Sequence, residues 1–187
     1  MNKKNHPFRV IVFTLLTLTL VCVGLSARAE DQKPLPYVNE KGEISMPKGF
    51  REKMVYVGSW SLQDQMHEVY TQPESLAAYR KTGKFPDGTV LVKEVRAGDS
   101  GLKTTGQVRW AKDQDLQCFV MVKDDYNRFP DNPLWKDGWG WALFKADEPM
   151  KQVATSYATD CQACHVPAAA TDHVFTEGYP ILRLHKN

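Results

Sequence analysis

The sequence lacks a strong excess of charge of either sign. Its 187 residues include 24 Lys and Arg and 22 Asp and Glu, which gives a formal net charge of +2. The first 29 residues hold four basic side chains and no acidic one, so the rest of the chain has a formal charge of −2. A chain without a basic surplus has no electrostatic footprint for nucleic acid. We therefore expect no nucleic-acid partner.

Cysteine is scarce, and this scarcity excludes two common classes of site. The sequence has four cysteines, of which Cys22 lies in an apolar segment near the N-terminus. The other three are an odd number, which does not suit a disulfide scaffold. A structural zinc site usually needs a second Cys/His pair, and the sequence has none. Cys118 stands alone in an apolar strand pattern and is expected to be a small buried hydrophobe.

Long hydrophobic runs are absent except for one near the N-terminus. Residues 10–25 contain no charge, and these sixteen residues are short for a membrane span of about 20. A basic start precedes the run, and an Ala-Arg-Ala cleavage pattern follows it at 27–29. The sequence therefore predicts a signal peptide over residues 1–29 and export to the periplasm. The mature chain, residues 30–187, is expected to be a single domain without a membrane anchor; the alternative is an uncleaved anchor.

Valine-rich and aromatic-rich segments dominate the rest of the chain and favour β-strands. The predicted strands are residues 52–60, 66–72 and 89–97, a hairpin pair at 106–112 and 116–124, and a last strand at 139–146. Pro73 and Gly83 stand where a helix starts and stops. After Pro149 the apolar spacing changes toward a helix. We predict a mainly β (α+β) fold, an antiparallel sheet domain with short helices, whose C-terminal helix carries the motif described next.

The stretch DCQACHVP contains two cysteines three residues apart, Cys161 and Cys164, and His165 follows the second at once. On a helical turn these three positions share a face. Two thiols can add to the vinyl groups of a haem while the imidazole reaches the iron, which is the c-type attachment pattern. A thioredoxin-like redox pair would need a βαβ context that the strand pattern lacks. The motif predicts one covalent haem c, with His165 as the iron ligand.

Four segments carry a resemblance to a known family. They are MPKGFREKMVYVG, PESLAAYRKTGKFPDGTVLVKEV, WGWALFKADEP and CQACHVPAAATDHVFTEGYPILR. Together they span residues 46–183, and this stretch resembles the cytochrome P460 family. The resemblance implies a β-sheet-dominated periplasmic c-type cytochrome, commonly a homodimer, whose haem iron is five-coordinate through the motif histidine. It also implies a bond from a lysine nitrogen to a porphyrin meso carbon, a red-shifted ferrous absorption, and oxidation of hydroxylamine, with nitric oxide as a further ligand.

The family's lysine lies in the strand after Asp-Gly-Thr, which carries over to Lys93 alone. Alternation along TVLVKEV puts Lys93 on one face with Leu91 and Val95, and Glu94 on the other, where it is expected to be solvated or paired. The pattern alone favours a snorkelling surface lysine at a sheet edge, whereas the resemblance implies a haem-facing lysine. The implied catalytic residues are Lys93 and His165. The implied cofactor-binding residues are Lys93, Cys161, Cys164 and His165.

Three functions stay open from the sequence. The resemblance implies a hydroxylamine oxidoreductase whose electrons leave to a soluble acceptor cytochrome, because the haem is the only redox cofactor implied. The alternative is a protein that binds nitric oxide and carbon monoxide without turnover, like the sister group of β-sheet cytochromes c′, which lack the lysine bond. The third is an electron carrier with a six-coordinate iron, although such cytochromes are mostly helical.

Several other residues have ordinary structural explanations. Trp139 and Trp141 alternate onto one face and are expected in the core or at a dimer surface. His67 is expected to be satisfied or exposed rather than a proton donor, and His173 to lie on a helix surface. Asp160 is a candidate cap for the motif helix. Phenylalanines that could wall the haem are Phe85, Phe119, Phe129, Phe144 and Phe175.

Overall fold

The computed structural model of the protein describes residues 33–183. The predicted signal peptide and its cleavage site lie outside this range. The chain divides into two compact units, and the second, which begins at Leu35, contains every strand and helix described below. Within the described residues, no helix has both the length and the apolar character needed to cross a membrane.

A seven-stranded antiparallel sheet forms the centre of the fold. The strands are β1 (Val55–Leu62), β2 (Gln65–Thr71), β3 (Val90–Lys103), β4 (Gly106–Lys123), β5 (Trp135–Lys136), β6 (Trp139–Lys145) and β7 (Glu148–Gln152). β1 to β4 pair in chain order, β6 pairs with β4, and both β5 and β7 pair with β6. The β-branched and aromatic residues of these segments suit a pleated, half-buried surface. The predicted mainly β fold with short helices is confirmed.

Short helices accompany the sheet in the described range. They are the α-helices α1 (Phe50–Lys53), α2 (Pro73–Thr82), α3 (Tyr157–Asp160) and α4 (Gln162–His165), and the 3₁₀ turns Val166–Thr171 and Pro180–Leu182. α2 begins at Pro73, as predicted. Proline already has a helical φ, and its missing N–H is no loss in the first turn, where backbone N–H groups have no intrahelical partner. It ends at Gly83, which takes the left-handed φ of 76° and donates its N–H to the Tyr79 carbonyl at 2.7 Å.

The predicted hairpin within residues 106–124 is wrong, because this segment is one continuous strand, β4. The hairpin lies one element earlier, at the Thr104–Thr105 turn between β3 and β4. Asp113 and Asp115, which interrupt the apolar pattern, form ion pairs with Arg96 of β3 instead of a turn. Two register shifts beside Arg96 accommodate the irregularity.

The segment around Pro149 is a strand, not the start of a helix, and β6 is therefore not the last strand. Residues Glu148–Gln152 form β7, which pairs only with β6 among the described strands. Proline is tolerated in an edge strand because its missing N–H removes no ladder hydrogen bond from the sheet. The helices that carry the motif begin only at Tyr157.

Alternation along the strands gives the sheet two buried faces. One face, here called the motif face, packs against the C-terminal segment through Val57, Val69, Leu91, Met121, Trp139, Trp141, Tyr157, Cys161, Val174, Tyr179 and Leu182. The other, here called the N-terminal face, buries Val90, Val92, Val120, Val122, Ala142 and Phe144 beneath Leu35, Ile44 and Phe50. The motif segment and residues 35–50 therefore cover opposite sides of one sheet.

Candidate haem-binding site

The Cys-x-x-Cys-His motif lies at the junction of two short helices rather than in one. Cys161 stands between α3 and α4 with non-helical angles, φ −129° and ψ −37°. Its carbonyl still accepts a hydrogen bond from the His165 N–H at 3.1 Å, which places His165 one turn further on. Cys161 is buried in the motif face, Cys164 is exposed, and both are free thiols. One turn of chain thus presents two thiols and an imidazole.

Asp160 does not cap the motif helix. The N-cap of α3 is Ser156, whose hydroxyl accepts a hydrogen bond from the Thr159 N–H at 3.1 Å. Asp160 is the last residue of α3, and its carboxylate accepts hydrogen bonds from the N–H groups of Thr155 at 2.6 Å and Ser156 at 3.2 Å. These hydrogen bonds lower the pKa of Asp160. The carboxylate therefore fixes the loop that leads into the motif.

His165 is oriented from both sides. Its Nδ1 donates a hydrogen bond to the His173 carbonyl at 2.8 Å, which leaves Nε2 as the atom available to a metal. The His165 ring meets the Trp141 ring edge to face, with centroids 4.6 Å apart. Burial lowers the pKa of His165, and the nearby Lys93 ammonium lowers it further. A neutral imidazole whose second nitrogen is anchored on a carbonyl has the form of a metal-ligating histidine.

Lys93 lies in the middle of the sheet, so the edge-lysine interpretation is wrong. It pairs with Val69 of β2 on one side and Phe119 of β4 on the other. Its Nζ lies 4.3 Å from the centroid of the Phe119 ring, and no carboxylate in residues 33–183 forms an ion pair with it. Burial lowers the pKa of Lys93, while the Cys164 and Cys161 thiols beside it raise it. Leu91, which shares this face of β3, belongs to the same hydrophobic cluster as Cys161. Lys93 therefore lies on the face of the sheet that the motif covers, although about seventy residues separate the two in the sequence.

Glu94 points to the opposite face, as the alternation predicts, and is paired rather than solvated. Its side chain is only 1% exposed and forms an ion pair with Arg51 of α1. The Arg51 guanidinium also reaches Asp115 at 3.1 Å. The hydrogen bond to Glu94 is the main reason that the pKa of Arg51 is raised. Since Glu94 follows Lys93 directly, the Arg51–Glu94 ion pair anchors the strand segment that positions the lysine.

His67 is neither exposed nor fully satisfied, so the expectation for it is wrong. It is 6% exposed, and its ring stacks on Trp60 with centroids 4.2 Å apart. Nε2 lies 3.4 Å from Gln65 Oε1, and Nδ1 has no hydrogen-bond partner among the described residues. Burial, with a further effect of the Lys93 ammonium, lowers the pKa of His67 to about 4. His67 is therefore a neutral imidazole within the electrostatic reach of Lys93.

A sequence model of the family Cytochrome P460 matches residues 47–176, which include Lys93, both motif cysteines and His165. The chain belongs to the cytochrome P460 family. A search of curated proteins finds no match. Membership makes the protein a c-type cytochrome and implies haem c as its cofactor. Membership does not assign a part to each residue, which depends on the geometry of the site.

The residues of the motif face fit the haem of a cytochrome P460. Two free thiols are present for thioethers, and His165 offers Nε2 from an anchored ring. The surrounding side chains, such as Leu91 and Met121, are apolar, which suits a porphyrin. Within residues 33–183 no three His, Cys, Asp or Glu side chains are placed to hold a metal ion by themselves. The iron would thus be held by the porphyrin together with His165.

The phenylalanines divide between the two faces in a way that the sequence does not reveal. Phe85 belongs to the motif face, and Phe119 lies under the Lys93 ammonium. The ring centroid of Phe175 is 6.4 Å from that of His165. Phe129 and Phe144 pack in the N-terminal face instead and cannot wall a haem on the motif face. Only the three-dimensional pairing of strands separates these candidates.

Two tryptophan contacts were missed from the sequence. Trp141, expected as ordinary core, packs on His165, and its Nε1 donates to the Lys136 carbonyl at 3.1 Å. Trp139 Nε1 donates to the Asp172 carbonyl at 3.0 Å, one residue before the His173 carbonyl that holds His165. His173 is half-buried in a turn with φ 61°, not on a helix surface. Both tryptophans therefore help to fix the His165 imidazole, and their shared face on β6 was the only sequence signal.

Proposed function

We propose that this cytochrome P460 oxidises hydroxylamine in the periplasm, at a single haem attached through Cys161 and Cys164 and bonded to Lys93. Electrons leave to a soluble acceptor cytochrome, and the protein acts as a homodimer. The observation that carries the proposal is the half-buried Lys93 side chain, which shares the motif face with Cys161, lies over the Phe119 ring and has no carboxylate partner in the described range. A structural lysine in such a place would be expected to have a counter-charge.

Burial prepares the Lys93 nitrogen for a covalent role. A lowered pKa increases the fraction of uncharged amine, which is the form that can bond to carbon. Phe119 on one side of the ammonium restricts where the nitrogen can go. His165 would ligate the iron through Nε2, because Nδ1 is already used by the His173 carbonyl. When bound, the haem supplies the iron that takes electrons from the substrate.

A second function is supported by the apolar character of the motif face. Val69, Leu91 and Met121 lie on the motif face around Lys93, and apolar surroundings of this kind suit a small uncharged gas. If no lysine bond forms, the protein would bind nitric oxide or carbon monoxide without turnover, as in the β-sheet cytochromes c′. The state of Lys93 therefore separates the two functions.

The test compares Lys93→Ala with Lys103→Ala, an exposed lysine on the same strand. Both variants should keep their haem, because the two thioethers do not depend on either lysine. Lys93→Ala should lose the red-shifted ferrous absorption and hydroxylamine-dependent reduction of an acceptor cytochrome, while it still binds nitric oxide. Lys103→Ala should behave as the parent does.

Two results would count against the proposal. If Lys93→Ala keeps the parent spectrum and turnover, the lysine has no role in the chemistry. If the parent itself shows an ordinary c-type spectrum, binds nitric oxide and does not turn over hydroxylamine, the gas-binding function replaces the oxidation. Size-exclusion chromatography with light scattering on the same samples tests the homodimer.

A further inference from the structure

His67 is an exception among the buried polar side chains. The described residues bury seven of them: His67, Thr71, Ser75, Thr89, Glu94, Lys123 and Asp124. All except His67 make at least one hydrogen bond or ion pair of 3.2 Å or less. His67 has one contact at 3.4 Å and one nitrogen without a partner in this part of the chain. Because an unmade buried hydrogen bond costs free energy, such a group calls for an explanation.

The ring of His67 is held in place by its neighbours. It stacks on Trp60, whose Nε1 donates a hydrogen bond to the Tyr179 hydroxyl at 2.6 Å. Tyr179 belongs to the C-terminal segment that covers the motif face. Nε2 faces Gln65 Oε1, and with this partner Nε2 carries the ring hydrogen while Nδ1 keeps a lone pair. The imidazole is therefore a fixed acceptor without a donor.

The strand register places this acceptor beside the candidate haem site. His67, Val69 and Thr71 alternate with half-buried residues and form the buried row of β2. Val69 pairs directly with Lys93, so His67 is the diagonal neighbour of the lysine on the same face. The Lys93 ammonium lowers the pKa of both His67 and His165, after burial as the main cause in each. His67 therefore lies beside Lys93 on the face of the sheet that the motif segment covers.

We propose that His67 Nδ1 accepts a hydrogen bond from the small molecule bound at the haem, and thereby favours ligands that carry N–H or O–H over diatomic gases. This rests on the proposed function, because it requires the haem on the motif face. Hydroxylamine can donate such a hydrogen bond, whereas nitric oxide and carbon monoxide have no hydrogen to donate. His67 is then a specificity-determining residue that contacts the substrate.

The test measures two affinities by spectral titration of the haem-loaded protein. Hydroxylamine is titrated into the ferric protein without an electron acceptor, and carbon monoxide into the ferrous protein. His67→Leu should weaken hydroxylamine binding between about twofold and about tenfold, the loss expected for one hydrogen bond, and leave carbon monoxide binding unchanged. His67→Gln keeps an acceptor oxygen and should retain most of the hydroxylamine affinity.

Glu68→Gln is the matched control, because Glu68 is the next residue of β2 and is only half-buried on the other side of the strand. It should change neither affinity. Unchanged hydroxylamine binding in His67→Leu would overturn the inference, and so would an equal loss for both ligands, which would indicate only a structural role. A parent protein with an ordinary c-type spectrum would contradict the oxidation proposed above but would still allow this comparison of ligands.

Discussion

Replacing Arg51 by methionine should destabilise the protein by about 3 kcal/mol, since it leaves a buried carboxylate without its partner. The Glu94 side chain is 1% exposed, and both of its oxygens are engaged by Arg51. Breaking one side of a buried ion pair typically costs about 3–5 kcal/mol. The Arg51 side chain is 46% exposed, so its removal admits some water to Glu94. This places the expected cost at the lower end of the range.

The assay is thermal unfolding of the haem-loaded protein followed by far-ultraviolet circular dichroism. For a domain of this size, each kcal/mol shifts the midpoint by about 2–4 °C, so Arg51→Met should lower Tm by roughly 6–12 °C. Adding Glu94→Leu should recover most of the loss, because the unpaired charge is then gone. The double variant distinguishes the cost of the unpaired Glu94 charge from the cost of losing the other contacts of the Arg51 side chain.

The exposed pair Lys151–Glu148 provides the control for this experiment. Its side chains are 67% and 51% exposed, and pairs of this kind contribute about 0–1 kcal/mol. Lys151→Met should therefore shift Tm by only a few degrees. A shift in Arg51→Met no larger than that of the control would refute the reasoning, and so would a double variant that is less stable than Arg51→Met alone.

Two further predictions concern the thiols and the N-terminus. In the haem-loaded protein, Cys118 should be unreactive toward a thiol reagent near pH 8, because burial raises its pKa to about 12. After unfolding, one thiol per mature chain should react. Three reactive thiols would show that Cys161 and Cys164 carry no haem. The exported protein should have the intact mass of a chain that begins at Glu30 plus one haem, and a retained segment 1–29 would contradict the predicted signal peptide.

Local rules predicted the parts of the fold that local chemistry decides. The limits of α2 follow from Pro73 and Gly83, whose backbone preferences do not depend on the rest of the chain. Alternation alone put Lys93 and Glu94 on opposite faces, and the register confirms this. The motif cysteines and histidine were recognised from their spacing alone, and their attachment to haem stays a prediction. These features depend on at most a few consecutive residues.

The features that were missed depend on pairing between distant strands. The aspartates of β4 resemble a turn in sequence, and only their partner Arg96 on β3 shows that the strand continues. Likewise, β7 tolerates proline because it is an edge strand, which no single segment reveals. The burial of His67 comes from Trp60 across the β1–β2 pair. Periodicity gives the face of a residue, but the sheet order decides what lies over that face.

The central claim is that the Lys93 nitrogen is bonded to the haem, and peptide mapping of fully haem-loaded protein tests it most directly. After tryptic digestion, mass spectrometry should find the peptide that contains Lys93 attached to the haem peptide that contains Cys161 and Cys164. The chain should also resist cleavage after Lys93, because trypsin requires a free lysine. Recovery of Lys93 as a free, unmodified tryptic site would contradict the account and leave the gas-binding function.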